Sequence, residues 1–502
     1  MLSQINHLQA AFMWRWSAIG KGSTMTESWR LRLLPLAVFL ILVLAGGFAL
    51  VSAAPIIPNN SDGFASAAYD PVNDRYLLVY EKSDNGDRDI WARFVSNSGD
   101  YLAPEFPITT DTPHERSPAV AYDSVSGKYL AVWRDYRNSN WDIYGQFIDG
   151  DNVSGLLYSS EFAIADSASE HSVHPALVFD ETTARFLVIW SGLTGYPGGN
   201  LISGQFVNSA SSPSYLFSVN FPLSTVDSNK YSVAVANDPV NDRFLAVWED
   251  RRSGIAIYGQ IVDSASGGGF LYSTDASTNL PIATGAAYGS DPDVAYSGST
   301  GRFMVVWTDS RDADGNIYGQ LIDADTGAPY GTSVDTNFPV STAPSHQRES
   351  ALAAGPDGNY LVVFSSVTGP EYDILGQLVD GEGAAVATST DVNYPVADSD
   401  EFYYRPGVVY NPGLDNYLFY FDNESVSPYE VVLLVDPPRE SSGGGGGGGC
   451  NTTSPAPGEP VWVDLLWIAM LVGMFILMRR KYGSDSRFQD LDSRHIIDGG
   501  PS

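Results

Sequence analysis

The most regular feature of the chain is an apolar pentapeptide that returns seven times. Each copy has four mostly apolar residues and then an aromatic one, as in YLLVY, YLAVW and FLVIW. The closing aromatic residues are Tyr80, Trp133, Trp190, Trp248, Trp307, Phe364 and Tyr420, at intervals of 53, 57, 58, 59, 57 and 56 residues. Such a continuous apolar, β-branched and aromatic run is typical of a β-strand buried on both faces. The tryptophans are therefore expected in the core rather than on a carbohydrate platform.

Three further segments recur around each pentapeptide. Upstream lies a strand pattern such as SPAVAYD at Ser117–Asp123, and a polar turn joins it to the pentapeptide. The turn reads PVNDR at both Pro71–Arg75 and Pro239–Arg243, and Asp, Asn and Gly are residues that hairpin turns favour. Downstream lie DIYGQFID at Asp142–Asp149 and a short FPI-type strand around Ile108. The pattern thus predicts four antiparallel strands in each repeat.

Glycine recurs in the middle of the third strand of most repeats. A glycine inside a strand favours the close approach of a neighbouring group, here expected to be an aromatic side chain. The positions are Gly145, Gly204, Gly259, Gly319 and Gly376.

Seven four-stranded units of this size cannot be seven independent domains, because each sheet would leave both apolar faces exposed. Sheets that stack face to face around an axis bury both faces, which is the β-propeller solution. The sequence therefore predicts an all-β fold, a seven-bladed propeller of four-stranded antiparallel blades over residues 55–437. The last repeat lacks an FPI-type strand, and APIIPNN precedes the first repeat. Pro55–Ile57 is therefore expected to supply the outer strand of blade seven and close the ring.

The first 54 residues have the order of an export signal. Arg30 and Arg32 precede a long apolar run, and small residues follow, with Val51 and Ala53 spaced for cleavage. The apolar run exceeds the usual length of a signal peptide, so an uncleaved anchor remains an alternative.

The C-terminal region predicts a membrane anchor. A Gly/Pro-rich linker over 438–460 leads to an apolar helix at 461–478, long enough to cross a bilayer core. Arg479, Arg480 and Lys481 follow directly. Basic residues on that side predict a cytoplasmic tail over 479–502, with the propeller outside the cytoplasm in the cell envelope.

The net charge excludes one class of partner, and the cysteine count excludes disulfide cross-links within the chain. The 502 residues carry a formal net charge of −32, whereas binding to a nucleic-acid backbone needs a basic surface. Nucleic acid is therefore excluded as a partner. The single cysteine, Cys450, excludes an internal disulfide framework.

The phrases W-x-D-x-R and DIYGQ resemble those of exported bacterial and archaeal β-propeller repeat proteins, distantly similar to TolB-like repeats. This resemblance covers about residues 55–436 and implies a blade architecture more than an activity. The Gly-rich stretch with Cys450, the apolar helix and the Arg479–Arg480 pair resemble bacterial C-terminal sorting signals. That resemblance implies processing or lipid attachment near Cys450. The extra tail Tyr482–Ser502 departs from such signals, so a permanent anchor with an exposed linker thiol is the alternative.

The W-x-D-x-R motif supplies the first candidate binding residues. Three loops between second and third strands carry it: Asp135 with Arg137, Asp250 with Arg252, and Asp309 with Arg311. The Asp can cap the turn and pair with the Arg, a structural role. Alternatively, Asp and Arg side chains around a channel mouth could grip a polar ligand.

Histidines and aspartates supply the remaining candidates. His114 and His171 stand four residues before the equivalent prolines Pro118 and Pro175, on loops of the same rim. His174 and His346 lie on loops of the same kind, but their distribution over the repeats does not favour a metal site. The segment RDADGN at Arg311–Asn316, which contains Asp312 and Asp314, resembles a calcium-binding loop. It lacks the D-x-D-x-D-G spacing and the closing Glu of such loops. No cofactor is therefore expected, with calcium near Asp312 and Asp314 as a weak alternative.

The chain carries no H-E-x-x-H, G-x-S-x-G or Walker motif, and no pair of its many carboxylates can be placed at glycosidase separation from the sequence. The sequence favours a membrane-anchored, surface-displayed propeller that binds an extracellular polymer, glycan or protein without catalysis. A cell-surface polysaccharide hydrolase or lyase is the alternative, and an envelope-assembly scaffold of the Tol kind is a third hypothesis.

Overall fold

A computed structural model describes residues 52–53 and 64–435 of the chain. Within the second range it leaves out residues 85–86, 111–113, 167–169, 195–199, 211–214, 218, 265–269, 273–274, 285–288, 313, 369–370, 387–392, 398–400 and 425–429. The described residues form strands and turns, with no helix among them. The chain divides into two compact units, Met1–Glu440 and Ser441–Ser502, and the strands belong to the first.

Thirty strands follow one another along the chain. In the first half they are β1 (Ser52–Ala53), β2 (Ala65–Asp70), β3 (Arg75–Asp84), β4 (Asp87–Ser96), β5 (Phe106–Pro107), β6 (Glu115–Asp123), β7 (Lys128–Asp135), β8 (Asp142–Asp149), β9 (Phe162–Ala165), β10 (Glu170–Asp180), β11 (Arg185–Thr194), β12 (Leu201–Val207), β13 (Phe221–Ser224), β14 (Lys230–Asp238) and β15 (Arg243–Asp250). In the second half they are β16 (Ala256–Asp263), β17 (Phe270–Tyr272), β18 (Leu280–Ala283), β19 (Gly289–Ser297), β20 (Arg302–Asp312), β21 (Asp314–Asp323), β22 (Pro329–Tyr330), β23 (Phe338–Ser341), β24 (His346–Ala354), β25 (Tyr360–Thr368), β26 (Glu371–Val379), β27 (Tyr394–Ala397), β28 (Tyr403–Asn411), β29 (Asn416–Asn423) and β30 (Glu430–Val435).

The strands form seven antiparallel sheets in chain order, so the predicted seven-bladed propeller is confirmed. The blades are β2–β5, β6–β9, β10–β13, β14–β18, β19–β23, β24–β27, and β28–β30 with β1. The first strands β2, β6, β10, β14, β19, β24 and β28 contact one another in sequence, and β28 contacts β2. These first strands therefore surround the axis. Blades four and five each add a short strand, β17 or β22, on their third strand, which the sequence pattern did not predict.

The N-terminal end of the propeller closes the ring, as predicted. Ser52 pairs with Val435 and Ala53 with Leu434, so β1 is the outer strand of blade seven. The predicted closing residues Pro55–Ile57 lie outside the described residues, and the described strand is a few residues earlier. Packing seals the same junction, because Leu78 and Tyr80 of blade one share a buried cluster with Leu418 and Leu433 of blade seven.

The first hairpin turns use the chemistry that the sequence predicted. In PVNDR of blade one, the buried Asp70 carboxylate accepts hydrogen bonds from the backbone N–H groups of Val72 and Asn73 at 2.9 and 3.1 Å. Asp238 does the same in blade four. Asp74 and Asp242 then adopt φ of 48° and 55°, the left-handed region that Asp tolerates better than most residues.

The second strands carry the core between blades. Trp133, Trp248 and Trp307 are completely buried, and Trp190 is 2% exposed, as predicted. Trp307 of blade five, for example, packs in one cluster with Val247 and Ile257 of blade four. Stacking of blade on blade therefore buries the apolar pentapeptides on both faces.

The mid-strand glycines face the fourth strand of their own blade. The neighbouring side chain there is aromatic, as expected, at some of these glycines but not at all of them. A Cβ atom at Gly319 would lie 2.8 Å from the ring of Phe338. At Gly145 and Gly259 the nearest side chains are instead Ile164 and Ile282, each 2.9 Å away. The close approach is thus general, but its chemistry is not aromatic throughout.

Of the predicted signal segment 1–54, only Ser52 and Ala53 are described, and they form the closing strand β1. The linker, apolar helix and tail, with Cys450, Arg479 and Arg480, lie outside the described residues. Among the residues that are described, no helix has the length and apolarity needed to cross a membrane.

Candidate functional site

Every blade carries an irregularity at the start of its first strand. In six blades the pairing between first and second strands shifts register at this point. At each register shift, one non-glycine residue has a positive φ. Blade one shows no register shift, but its residue with positive φ directly precedes β2. These seven bulge residues are Phe64, Ser117, His174, Ser232, Asp291, Glu349 and Arg405, with φ between 47° and 62°. Each left-handed residue costs roughly 1–3 kcal/mol, and such strain clusters at functional sites.

Neighbouring blades hold the bulges in place. The backbone N–H of Ser117 donates to the Glu81 carboxylate of blade one at 2.6 Å. The N–H of Glu349 donates to Thr308 Oγ1 of blade five at 3.1 Å, and the N–H of Arg405 donates to Glu349 Oε2 at 3.0 Å. These contacts across blades explain how the strained backbone persists.

The bulges lie on the rim that also carries the loops between second and third strands, because both occur at the same end of the antiparallel blade. Neighbouring bulge side chains contact one another there, since Ser232 Oγ donates to Asp291 Oδ1 at 2.9 Å. We call this end of the axis, formed by the bulge residues and the residues just before them, the channel mouth. Six of its seven bulge residues are polar or charged, so the mouth offers hydrogen-bonding groups rather than an apolar pocket.

One side of the mouth, at blades one and two, combines a buried carboxyl with arginines. Glu81 is fully buried, and Arg88 donates to its Oε2 at 3.2 Å. Burial raises the pKa of Glu81 to about 7, even though the Ser117 N–H and the charges of Arg88, Arg116 and Arg134 act in the opposite direction.

The other side, at blades six and seven, combines arginines with aromatic rings. Arg405 donates to Asp422 Oδ2 at 3.1 Å, and its guanidinium lies 4.4 Å from the centre of the Phe64 ring. The Arg348 guanidinium lies 4.9 and 5.5 Å from the centres of the Tyr372 and Tyr404 rings. Burial raises the pKa of Asp422 to about 6.

The W-x-D-x-R residues bind one another within their own blades. Asp250 is fully buried and accepts hydrogen bonds from Trp248 Nε1 at 3.2 Å and from the backbone and guanidinium of Arg252 at 2.9 and 2.6 Å. The Arg252 guanidinium also lies 3.8 Å from the centre of the Tyr258 ring, in the third strand. The same contacts recur for Asp135, Arg137 and Tyr144, and for Asp309, Arg311 and Tyr318.

These contacts match the structural role considered for the motif. A ligand-binding role for the six residues stays a prediction. We call the structural role, in which the Asp holds the Arg of its own loop, a clamp. The pKa of Asp250 fits a clamp: burial alone would raise this pKa, but the hydrogen bonds from Arg252 and Ser228 outweigh burial and lower it.

Three histidines hold the equivalent position three residues before a bulge: His114, His171 and His346. His171 and His346 lie within the first strands β10 and β24, not on the loops that the sequence predicted. His171 Nδ1 accepts a hydrogen bond from the backbone N–H of Trp141 at 3.2 Å, and His346 Nδ1 accepts one from Gly315 at 2.9 Å. His171 therefore fastens the loop before β8 of the preceding blade, and His346 fastens the start of β21. A ligand-binding role for His114 and His171 stays a prediction.

His174 is different, because it is itself a bulge residue. Burial, with the nearby charge of Arg134, lowers its pKa to about 4, so the imidazole is neutral at pH 7. Among the described residues, no group of three or more His, Cys, Asp or Glu side chains is arranged to hold a metal ion. The side chains of Asp312 and Asp314 lie outside the described residues, and calcium binding there stays a hypothesis.

The bulge residues were missed at the sequence level, although a signal for them exists. Proline directly follows the bulge in four blades, at Pro118, Pro175, Pro292 and Pro406. Proline has no N–H for the ladder, so within a strand it marks an edge or a bulge.

A pH-dependent stability is expected from Glu115, two residues before the blade-two bulge. Glu115 is 1% exposed and pairs directly with Asp135 across the sheet. Burial, with the negative charges of Asp135 and Asp89, raises its pKa to about 8. Between about pH 5 and pH 8 the folded chain therefore binds a proton that the unfolded chain has released, so this group makes stability fall as the pH rises. We expect Glu115→Gln to gain roughly 3 kcal/mol relative to wild type between pH 5 and pH 8, because the folded and unfolded chains differ by almost one bound proton over most of this range.

Urea denaturation of both chains at several pH values measures this difference. Glu382→Gln is the control, because Glu382 lies exposed on the opposite rim, beside Arg302. A gap between Glu115→Gln and wild type that stays constant from pH 5 to pH 8 would show that Glu115 is ionised in the folded state.

Comparisons with known proteins give a fold likeness and no family. No family model matches the chain, and no curated protein sequence matches it. A protein of unknown function from Dyadobacter fermentans has a TM-score of 0.43 at 12% identity, over 64% of this chain and 94% of that one. The β-propeller domain of the Trilobed protease from Pyrococcus furiosus has a TM-score of 0.42 at 9% identity, over 78% and 98%. The α-L-arabinofuranosidase Arb93A from Fusarium graminearum has a TM-score of 0.42 at 10% identity, over 78% and 98%. The seven-bladed architecture rests on the strand pairing of this chain itself.

Proposed function

We propose that the protein is a non-catalytic recognition module that binds an extracellular polymer, a glycan above all, at the channel mouth. The observation that carries this proposal is the set of seven strained bulge residues, six of them polar or charged, at one end of the axis. Backbone strain repeated in every blade favours a selected geometry at this mouth. A hydroxyl-rich polymer needs the many fixed donors and acceptors that such a mouth supplies, with aromatic side chains beside them.

The proposal includes display outside the cytoplasm. Its support is the sequence alone: the export-type segment at 1–54 and the linker, apolar helix and basic cluster at 438–481. A rigid propeller on a flexible Gly-rich tether could reach polymers in the cell envelope.

A binding screen with a panel of immobilised glycans and polymers tests the proposed function. The full-length chain is expected to bind at least one of them without shortening it. Tyr404→Ala, next to the Arg405 bulge, should weaken that binding at least tenfold, because the Tyr404 ring lies at the mouth 4.5 Å from Tyr372. Tyr158→Ala is the matched control, since Tyr158 is 52% exposed and contacts Lys128 of a first hairpin turn on the opposite rim.

Two outcomes contradict the proposal. Equal binding by wild type and Tyr404→Ala would move the binding site away from the mouth. Release of shortened chains would instead support the hydrolase or lyase alternative, for which the raised pKa of Glu81 is the favouring observation. Against that alternative, both the backbone of Ser117 and the side chain of Arg88 already engage the Glu81 carboxyl.

A further inference from the structure

Two arginines lie directly opposite each other at the blade-two side of the mouth. Arg116, the residue before the Ser117 bulge, pairs with Arg134 across β6 and β7. Directly paired residues of an antiparallel sheet project their side chains from the same face, and like charges at such a pair destabilise it. Blade two therefore carries a like-charge pair that weakens the pairing of its own first two strands.

The two guanidinium groups are also poorly satisfied within the protein. Both side chains are partly buried, and the Nε atom of each is buried without a hydrogen-bond partner. Over the described part of the chain, neither guanidinium forms an ion pair or a hydrogen bond with another group. The Arg134 guanidinium instead lies 4.7 Å from the centre of the Trp141 ring, which fixes its position. A buried donor without a partner lacks the hydrogen bond that most buried polar groups make.

The carboxyl whose charge acts on Arg134 is already engaged by other groups. Glu81 accepts from the Ser117 N–H at 2.6 Å and from Arg88 at 3.2 Å. Three arginines therefore face one carboxylate, while the adjacent His174 is neutral at pH 7. This leaves an excess of positive charge at one point of a chain whose formal net charge is −32.

Arginine is the side chain best suited to a planar anion, because its fork pairs with both oxygens of a carboxylate. We infer that Arg116 and Arg134, with Arg88 beside them, form a site for a carboxylate group of an acidic polysaccharide that lies across the channel mouth. This assignment rests on the proposed polymer-binding function and names the substrate class. The polysaccharide is preferred to an acidic peptide because the mouth offers polar bulge residues rather than the apolar pockets in which peptide side chains anchor.

The test uses the full-length chain and three probes: polygalacturonate, the neutral polymer dextran, and polyglutamate. Isothermal titration is expected to show that polygalacturonate binds at least tenfold more tightly than dextran or polyglutamate. Arg134→Gln and Arg116→Gln should each weaken the polygalacturonate interaction at least tenfold. Without ligand, both variants should be as stable as wild type or more stable, because the like-charge pair is relieved. Arg243→Gln is the control, since it removes one positive charge from a first hairpin turn on the opposite rim.

The outcomes separate this inference from the proposed function. If a glycan binds and Tyr404→Ala weakens it but neither arginine variant does, the carboxylate site is wrong and the proposed function stands. If polyglutamate binds as tightly as polygalacturonate, and Arg134→Gln and Arg116→Gln abolish its binding, the ligand is an acidic peptide and not an acidic polysaccharide. A clear loss of stability in both arginine variants without ligand would show that the pair is structural. Failure of every probe and every glycan to bind would overturn both proposals.

Discussion

Replacing Trp307 by alanine is expected to lower the free energy of unfolding by roughly 3–5 kcal/mol, the usual loss for deletion of a fully buried large aromatic side chain. Trp307 is completely buried between blades four and five, in a cluster with Leu245, Val247 and Ile257. The surrounding strands are paired on both sides and can collapse only partly into the space left. The variant also removes the indole N–H that donates to Asp309 at 2.9 Å.

Denaturation in urea measures the effect as a shift of the midpoint at an unchanged slope. Trp141→Ala is the matched control, because the same side chain is deleted from a partly exposed loop where it contacts Arg134 and Tyr136. We expect this control to lose about 1 kcal/mol or less. Similar losses in both variants would contradict the assignment of Trp307 to the core between blades.

The blade architecture was predictable because burial on both faces leaves a strong hydrophobic signature. A second strand between two blades must be apolar at every position, and the pentapeptides ending at Trp133, Trp248 and Trp307 satisfy this. The hairpin turns were predictable for a related reason, since few residues other than Asp, Asn and Gly tolerate their backbone angles. Pattern and turn chemistry together specify the fold without any homologue.

The channel mouth was not predictable in the same way, because the sign of φ leaves little trace in hydrophobicity. The bulge residues include Phe64, Glu349 and Arg405, none of which has a preference for the left-handed region. Hydrogen bonds from the neighbouring blade hold them there, and such contacts between distant segments do not appear in a local pattern. The closing strand was located only approximately for a similar reason, because β1 pairs through just Ser52 and Ala53.

The W-x-D-x-R motif could be read from the sequence as a ligand site, but the contacts of its residues in the fold are explained by a structural role alone. From the sequence, an Asp and an Arg on one rim suit either a clamp or a ligand site. In the fold, the Asp309 carboxylate is fully buried and oriented toward Trp307 and Arg311 of its own blade. The two interpretations therefore differ in what loss of the carboxylate does to stability.

Replacing Asp309 by alanine is expected to lower the free energy of unfolding by roughly 3–5 kcal/mol, the usual loss when one partner of a buried ion pair is removed. Asp309 accepts hydrogen bonds from Trp307 Nε1 at 2.9 Å, from the Arg311 backbone N–H at 2.9 Å and from the Arg311 guanidinium at 2.6 Å. The alanine variant leaves these donors without their acceptor, and burial prevents water from replacing it fully. Urea denaturation and the glycan screen are to be applied to the same variant.

Asp309→Asn is the control for this prediction, because asparagine keeps the shape and one acceptor oxygen while it removes the charge. It should lose less than Asp309→Ala, roughly 2 kcal/mol, because the indole and the Arg311 backbone N–H donate to different oxygens of Asp309 and one of these two hydrogen bonds persists. A clamp predicts this graded loss of stability, with glycan binding unchanged wherever the protein remains folded. If instead Asp309→Ala keeps wild-type stability and loses binding, the carboxylate serves a ligand, and the motif belongs to the recognition surface. Because Arg311 also contacts Tyr318 of the third strand, a clamp further predicts that Asp309→Ala and Tyr318→Ala together lose less stability than the sum of the two single losses.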